Sequence, residues 1–252
     1  MEKPMLHAWR WIVAIFVLFT AFGFCFVYNE HTTDKPLTNT RQASQPIATD
    51  SSDAVLYTGL HLDSLGLSKQ AFDNAMHGYK TLQAAGKLQN DQVLSIVDFS
   101  LPSSQKRLFV IDLKNARLLF NTYVSHGRGS GAALATEFSN QANSFKSSLG
   151  FYVTGDTYIG HHGYSLRLNG QEKGINDNAL SRGIVMHSAA YVDSRIAAAQ
   201  GFIGRSQGCP AIPAKEHKAI IAAIRNGSCL FLYSADKKYA ASSTLARSNN
   251  AA

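Results

Sequence analysis

Apolar and polar positions alternate at several different periods along the chain, and each period predicts its own kind of element. Trp11 to Tyr28 is an apolar run interrupted only by Thr20 and Gly23, close to the length that spans a bilayer as one helix. Lys3 and Arg10 precede it, whereas Asn29, Glu30 and Asp34 follow, so the positive-inside rule predicts a cytoplasmic N-terminus and an exported remainder. A secretory signal has a shorter apolar stretch and a small-x-small cleavage site. This run ends Phe26-Val27-Tyr28-Asn29, which favours an uncleaved transmembrane anchor over a signal for residues 1–28. Residues 29–52 are rich in Thr, Ser, Gln, Asp and Pro, the composition of a solvated linker.

Beyond the linker, Phe72, Ala75, Met76, Tyr79 and Leu82 recur at helical spacing. Ser68 is placed to cap that helix and Gly86 to close it. Strand-like runs follow at 93–99, 108–113, 117–124, 150–154, 164–168, 183–187 and 229–233, with the polar break Lys114-Asn115-Ala116 reading as a hairpin turn. Further helices are predicted over 189–199 and 214–225. Residues 53–236 thus read as one mostly β domain with flanking helices, and the small, polar stretch 237–252 as a disordered tail. The Gly- and Ser-rich segment between Val124 and Gly150 has no periodicity. A stretch of that length is either functional or hides an element. Its glycines lack the Gly-Lys-Ser/Thr ending of a phosphate loop.

Composition adds limits. The 252 residues, 45% hydrophobic, suffice for one sizeable core. The formal charge is +7. Residues 1–28 contribute Lys3, Arg10 and Glu2, so about +6 remains on the exported part, which suits an anionic substrate or envelope. No Lys/Arg block argues for nucleic acid.

Chemistry concentrates around Cys209, in Gly204-Arg205-Ser206-Gln207-Gly208-Cys209-Pro210. A glycine-bearing turn lets backbone N–H groups approach an oxyanion while a thiol attacks a carbonyl. A cysteine also needs a base to become an effective nucleophile, and His187 ends the apolar run Gly183-Ile184-Val185-Met186. From these residues alone two alternatives stay open. Cys209 could bond to Cys229 as a structural disulfide in an oxidising compartment, and His187 could be a hydrogen-bonded core histidine. His161-His162, with His126, invites a metal reading, but adjacent strand residues face opposite ways.

Gly183–His187 with Ser188, followed by Ser206-Gln207-Gly208-Cys209, resembles the catalytic region of the L,D-transpeptidases, in which a strand ending in His precedes Ser-His-Gly-Cys. The hairpin over 108–124, Gly127, and Ser147-Ser148-Leu149-Gly150-Phe151-Tyr152 are similar in order and spacing to that family's earlier elements, so the resemblance covers about residues 108–233. Gln207 stands where the motif has His, Pro210 follows the cysteine, and no Arg lies two positions beyond it. These departures resemble the murein L,D-transpeptidase catalytic-domain group more than the majority type.

The resemblance implies an L,D-transpeptidase-like β-sandwich behind the anchor, acting on peptidoglycan stem peptides in the periplasm or cell envelope, without metal or organic cofactor. It implies Cys209 as nucleophile forming a thioester, His187 as base and the Ser188 carbonyl as the group orienting the imidazole. The N–H groups of Gly208 and Cys209 become the oxyanion hole, and Ser206 shapes the loop. Arg205, Arg167 and Arg182 are expected to face stem carboxylates, with Tyr158, His161 and His162 on a covering segment. An L,D-carboxypeptidase using the same pair, or a non-catalytic envelope-binding module with a Cys209–Cys229 bridge, are the alternative functions.

Overall fold

The computed structural model describes residues 51–246; the expected anchor, most of the linker and the end of the tail lie outside them. After α1 (Ser51–Gly59) comes α2 (Lys69–Ala84), whose start is fixed as the sequence predicts: the Ser68 side chain accepts from the Ala71 N–H at 3.1 Å, satisfying a donor that the first helical turn leaves free. Its apolar stripe, Ala71, Phe72, Ala75, Met76, Tyr79 and Leu82, is buried.

The strands are β1 (Val93–Asp98), β2 (Leu108–Asp112), β3 (Arg117–Thr122), β4 (Gly150–Gly160), β5 (Gly163–Gly170), β6 (Val185–Ala189), β7 (Ala211–Pro213) and β8 (Cys229–Tyr233). They form one mixed sheet in the order β3-β2-β1-β8-β4-β5-β6-β7, with β1 parallel to β8 and β6 parallel to β7. Hydrogen bonding runs without interruption through all eight strands, so the architecture is a mixed α/β sheet domain, where the sequence suggested two packed sheets. β1, β2 and β8 are buried at every position, which is why they read as continuous apolar runs. Helices α3 (Ser194–Gln200), α4 (His217–Ile224) and α5 (Lys237–Ser242) complete the domain. The described residues all fall in one compact unit. Among them no helix is long and apolar enough to cross a membrane.

Three departures from expectation have physical reasons. The helix predicted over 189–199 starts only at Ser194, because Ala189 is still paired with Pro213 on β7 and the Asp193 carboxylate caps the later start, accepting from the Arg195 N–H at 2.8 Å. β4 and β5 run on past the predicted 154 and 164 to a tip at Gly160 and Gly163; a register shift between Thr154 and Thr157 breaks the alternation a strand reading needs. The tail expected to fray from 237 instead folds into α5. Tyr239 is buried there and donates to Glu172 at 3.1 Å, and Ser243 bonds the same carboxylate. Burial raises the Glu172 carboxyl above its ordinary range while those hydrogen bonds oppose the rise.

The helix α2 packs on β1 and β8, and the Phe151 ring of β4 reaches it at Gly78. A Cβ on Gly78 would lie 2.1 Å from the Phe151 ring, and that ring stacks on Phe231 at 4.1 Å and 13°. Gly78→Ala is therefore expected to lower stability by about 1–2 kcal/mol, overpacking outweighing the better helix propensity of alanine. Chemical denaturation reads the sign directly, and a stabilised variant would contradict the packing.

Candidate active site

The site is assembled where three segments of irregular chain touch. Gly127 forms an isolated parallel bridge with Ser206, with the Ser206 N–H donating to the His126 carbonyl at 2.9 Å and the Arg128 N–H to the Ser206 carbonyl at 2.7 Å. Ser147 joins the third segment: its hydroxyl accepts from the Gly127 N–H at 3.0 Å and donates to the Gly208 carbonyl at 3.1 Å. A Cβ on Gly127 would sit 2.3 Å from the Phe145 carbonyl oxygen, and one on Gly208 2.8 Å from that of Lys146. Gly208 also has φ +127°, which L side chains rarely adopt.

This junction aims Cys209. The cysteine lies two residues before Ala211, whose register partner across the parallel pair is His187. The thiol is half-buried, free, and 3.7 Å from the Gly183 carbonyl oxygen. Burial pushes it up from its ordinary value; a backbone hydrogen bond at Val185 and the nearby Arg182 charge pull it back down. The His187 Nδ1 lies 2.9 Å from the Ser188 carbonyl oxygen. A carbonyl can only accept, so Nδ1 carries the proton and Nε2 the lone pair. Burial depresses His187, the Ser188 hydrogen bond opposes that, and the neighbouring His162 depresses it further. In both groups burial, the largest influence, works against the charged form.

Both side chains line one cleft of about 580 Å³, together with His161, His162, Arg128, Arg182 and Arg205. His162 stacks on His187 at 4.1 Å and 16°, and His161 meets His162 edge-on at 5.0 Å. The β4–β5 tip thus delivers both histidines, and they sit in a turn rather than on opposite faces of a strand. His126 is elsewhere. It is buried, its Nδ1 accepting from the Arg107 guanidinium at 2.7 Å, and burial followed by the Arg107 charge lowers it to about 4. Among the described residues no cluster of His, Cys, Asp or Glu has the arrangement of a metal site.

The arginines separate. Arg182 lines the cleft but is consumed, donating to the Ser139 carbonyl at 2.8 Å and the Lys146 carbonyl at 2.7 Å as well as to Ser148 and Ser144; it staples the loop over the site. Arg167 and Tyr158 do not line the cleft. Arg167 pairs with Asp156 at 2.8 Å and lies over the Tyr158 ring, both on the outer hairpin. Arg205 lines the cleft as expected, and Arg128 joins it unannounced: its only sequence signal is a basic side chain in an aperiodic glycine-rich loop. Gly208 differs from its expected role, since its N–H donates to the Ser206 hydroxyl at 3.0 Å, and that hydroxyl in turn donates to the Cys209 carbonyl at 2.6 Å. Cys229 is buried in β8 and free, its thiol pushed up by burial alone, so no disulfide joins it to Cys209.

A mixed sheet thus brings a half-buried cysteine in a glycine turn and a carbonyl-anchored histidine to one cleft. A family model for the L,D-transpeptidase catalytic domain matches residues 63–233, and the chain belongs to that family. Among solved structures, similar chains include an L,D-transpeptidase from Mycobacterium smegmatis (14% identity, 56% of this chain and 58% of that one, TM-score 0.35). Another is an L,D-transpeptidase from Stackebrandtia nassauensis (14%, 66% and 67%, 0.35). A third is a helical cell shape determining protein from Campylobacter jejuni (13%, 71% and 62%, 0.39). The chain thus spans less than two thirds of the first of these. No curated protein matches it.

Two outcomes follow. Ser147→Ala strands a buried N–H and a carbonyl at the junction and should cost about 1–3 kcal/mol, measured by denaturation. In an NMR titration the His187 ring should protonate below the ordinary ~6.5, and His162→Phe, which keeps a stacked ring without its charge, should move that midpoint upward. Since the unfolded chain binds this proton more readily, the His187 contribution to stability is lost as pH falls through the same range.

Proposed function

We propose that the protein is a cysteine-dependent acyltransferase acting on peptidoglycan stem peptides. The observation that carries this reading is the His187 ring, held at Nδ1 by the Ser188 carbonyl and placed in the same cleft as the free Cys209 thiol. The Cys209 sulfur attacks the carbonyl carbon on the N-terminal side of a terminal D-residue while its proton passes to His187 Nε2. The imidazolium then protonates the departing amine, leaving a thioester. An acceptor amine attacks the thioester, its proton goes to His187, and the thiolate leaves and is reprotonated. The Cys209 N–H is the donor assigned to the oxyanion, the Gly208 N–H being spent on Ser206.

We also carry forward the sequence reading that residues 1–28 anchor the protein, residues 29–52 tether it, and the catalytic domain works in the cell envelope. The free, separately buried Cys229 disfavours the alternative of a binding module built on a disulfide.

Incubated with disaccharide tetrapeptides, the wild-type protein should release the terminal residue and form cross-linked dimers, resolved by mass spectrometry. Cys209→Ala should form none, and His187→Ala should lose about 10²- to 10⁴-fold in rate. Trimmed tripeptides without dimers would make the protein a hydrolase; turnover surviving in Cys209→Ala would end the thioester mechanism.

A further inference from the structure

The cleft at Cys209 carries charge of one sign. Three arginines and three histidines line it, and among the described residues no Asp or Glu does. Arg182 has only its Nε–H left over, since both terminal nitrogens are committed to four oxygens of the covering loop. Arg128 and Arg205 are in a different situation. Both are exposed. Arg128 lies over the Phe145 ring at 4.0 Å, which fixes the plane of its guanidinium while leaving the N–H edge open. Arg205 spends one donor on the Gly131 carbonyl at 3.0 Å and rests 5.8 Å from the Phe202 ring. Neither makes an ion pair with a described residue.

Their placement is built into the junction that aims the nucleophile. Arg128 follows Gly127 and Arg205 precedes Ser206, the two residues joined by the parallel bridge. The Arg128 N–H also closes onto the Ser206 carbonyl at 2.7 Å. Two pre-oriented guanidinium groups therefore issue from one bridged site, and the turn that carries one of them ends at Cys209. A guanidinium edge matches a carboxylate with two parallel N–H···O bonds. A carboxamide presents one acceptor and one NH₂ donor, so it loses the charge and sets donor against donor.

Resting on the reading of the protein as a stem-peptide acyltransferase, we propose that Arg128 and Arg205 form a carboxylate-binding subsite beside Cys209, which selects donor peptides with free carboxyl groups over the same peptides carrying carboxamides.

The test uses the full-length protein and a matched pair of disaccharide-tetrapeptide donors, one with free side-branch carboxyls and one with those groups amidated. The wild type should favour the acid donor by about 10- to 100-fold in kcat/KM. Arg128→Gln and Arg205→Gln should each raise KM for the acid donor, with less effect on the amide donor, and the double variant should abolish the preference. Equal use of both donors by the wild type, or equal weakening of both in the variants, would overturn the subsite. Calorimetric binding of the two donors to Cys209→Ala separates this from the catalytic reading. A binding preference that needs the arginines, with no turnover by the wild type, would sink the acyltransferase proposal and leave the subsite standing. Turnover without a binding preference would do the reverse.

Discussion

The placement of Cys209 depends on three backbones meeting with no room between them. Gly127, Ser147 and Gly208 come from segments far apart in sequence, and one hydroxyl, that of Ser147, serves two of them at once, as acceptor for the Gly127 N–H and donor to the Gly208 carbonyl. The glycines are demanded by contact with main-chain oxygens, which cannot move aside as a flexible side chain could. Buried polar groups of this kind are costly when unpaired, so the contact either forms completely or not at all. That is the property needed in a turn that must hold a sulfur in one place.

A second polar element braces the same region from behind. Arg107 is fully buried, its guanidinium held by the Val124 and Leu101 carbonyls and the His126 ring and lying 5.0 Å from the Phe99 ring. Burial lowers it to about 9, with Asp98 opposing, so it remains charged at neutral pH. Burial first, and then its charge, keep His126 neutral and able to accept at Nδ1. The chain leaving β3 is thereby fixed through Val124 to His126, immediately before Gly127 enters the junction. The order of dependence runs from the buried sheet to Arg107, from there to the loop, and from the loop to Cys209.

The parts of this arrangement legible in the sequence were those encoded locally. The Ser68 cap, the α2 stripe and the largely apolar strands announce themselves through period and capping chemistry, and the family through a resemblance of motif. What stayed hidden was encoded by pairing at a distance. β7 is three residues long and exists because β6 lies beside it. The outer half of the β4–β5 hairpin is disguised by a bulge, which is why His161 and His162 could not be placed against His187. Tyr239 looked like part of a frayed end because its partner, Glu172, is remote in sequence. The arginines divided on the same ground: neither the commitment of Arg182 to the loop nor the openness of Arg128 can be read from residue type.

Burial of the Cys209 thiol has a consequence for the lifetime of the protein. The thiolate is the form that oxidants attack, and a sulfenic acid goes on to irreversible acids unless another thiol intercepts it. Cys229 is locked inside β8 and can offer no such rescue. Burial that raises the Cys209 thiol makes that vulnerable form scarcer. The burial that raises the Cys209 thiol thus also shields it from oxidants.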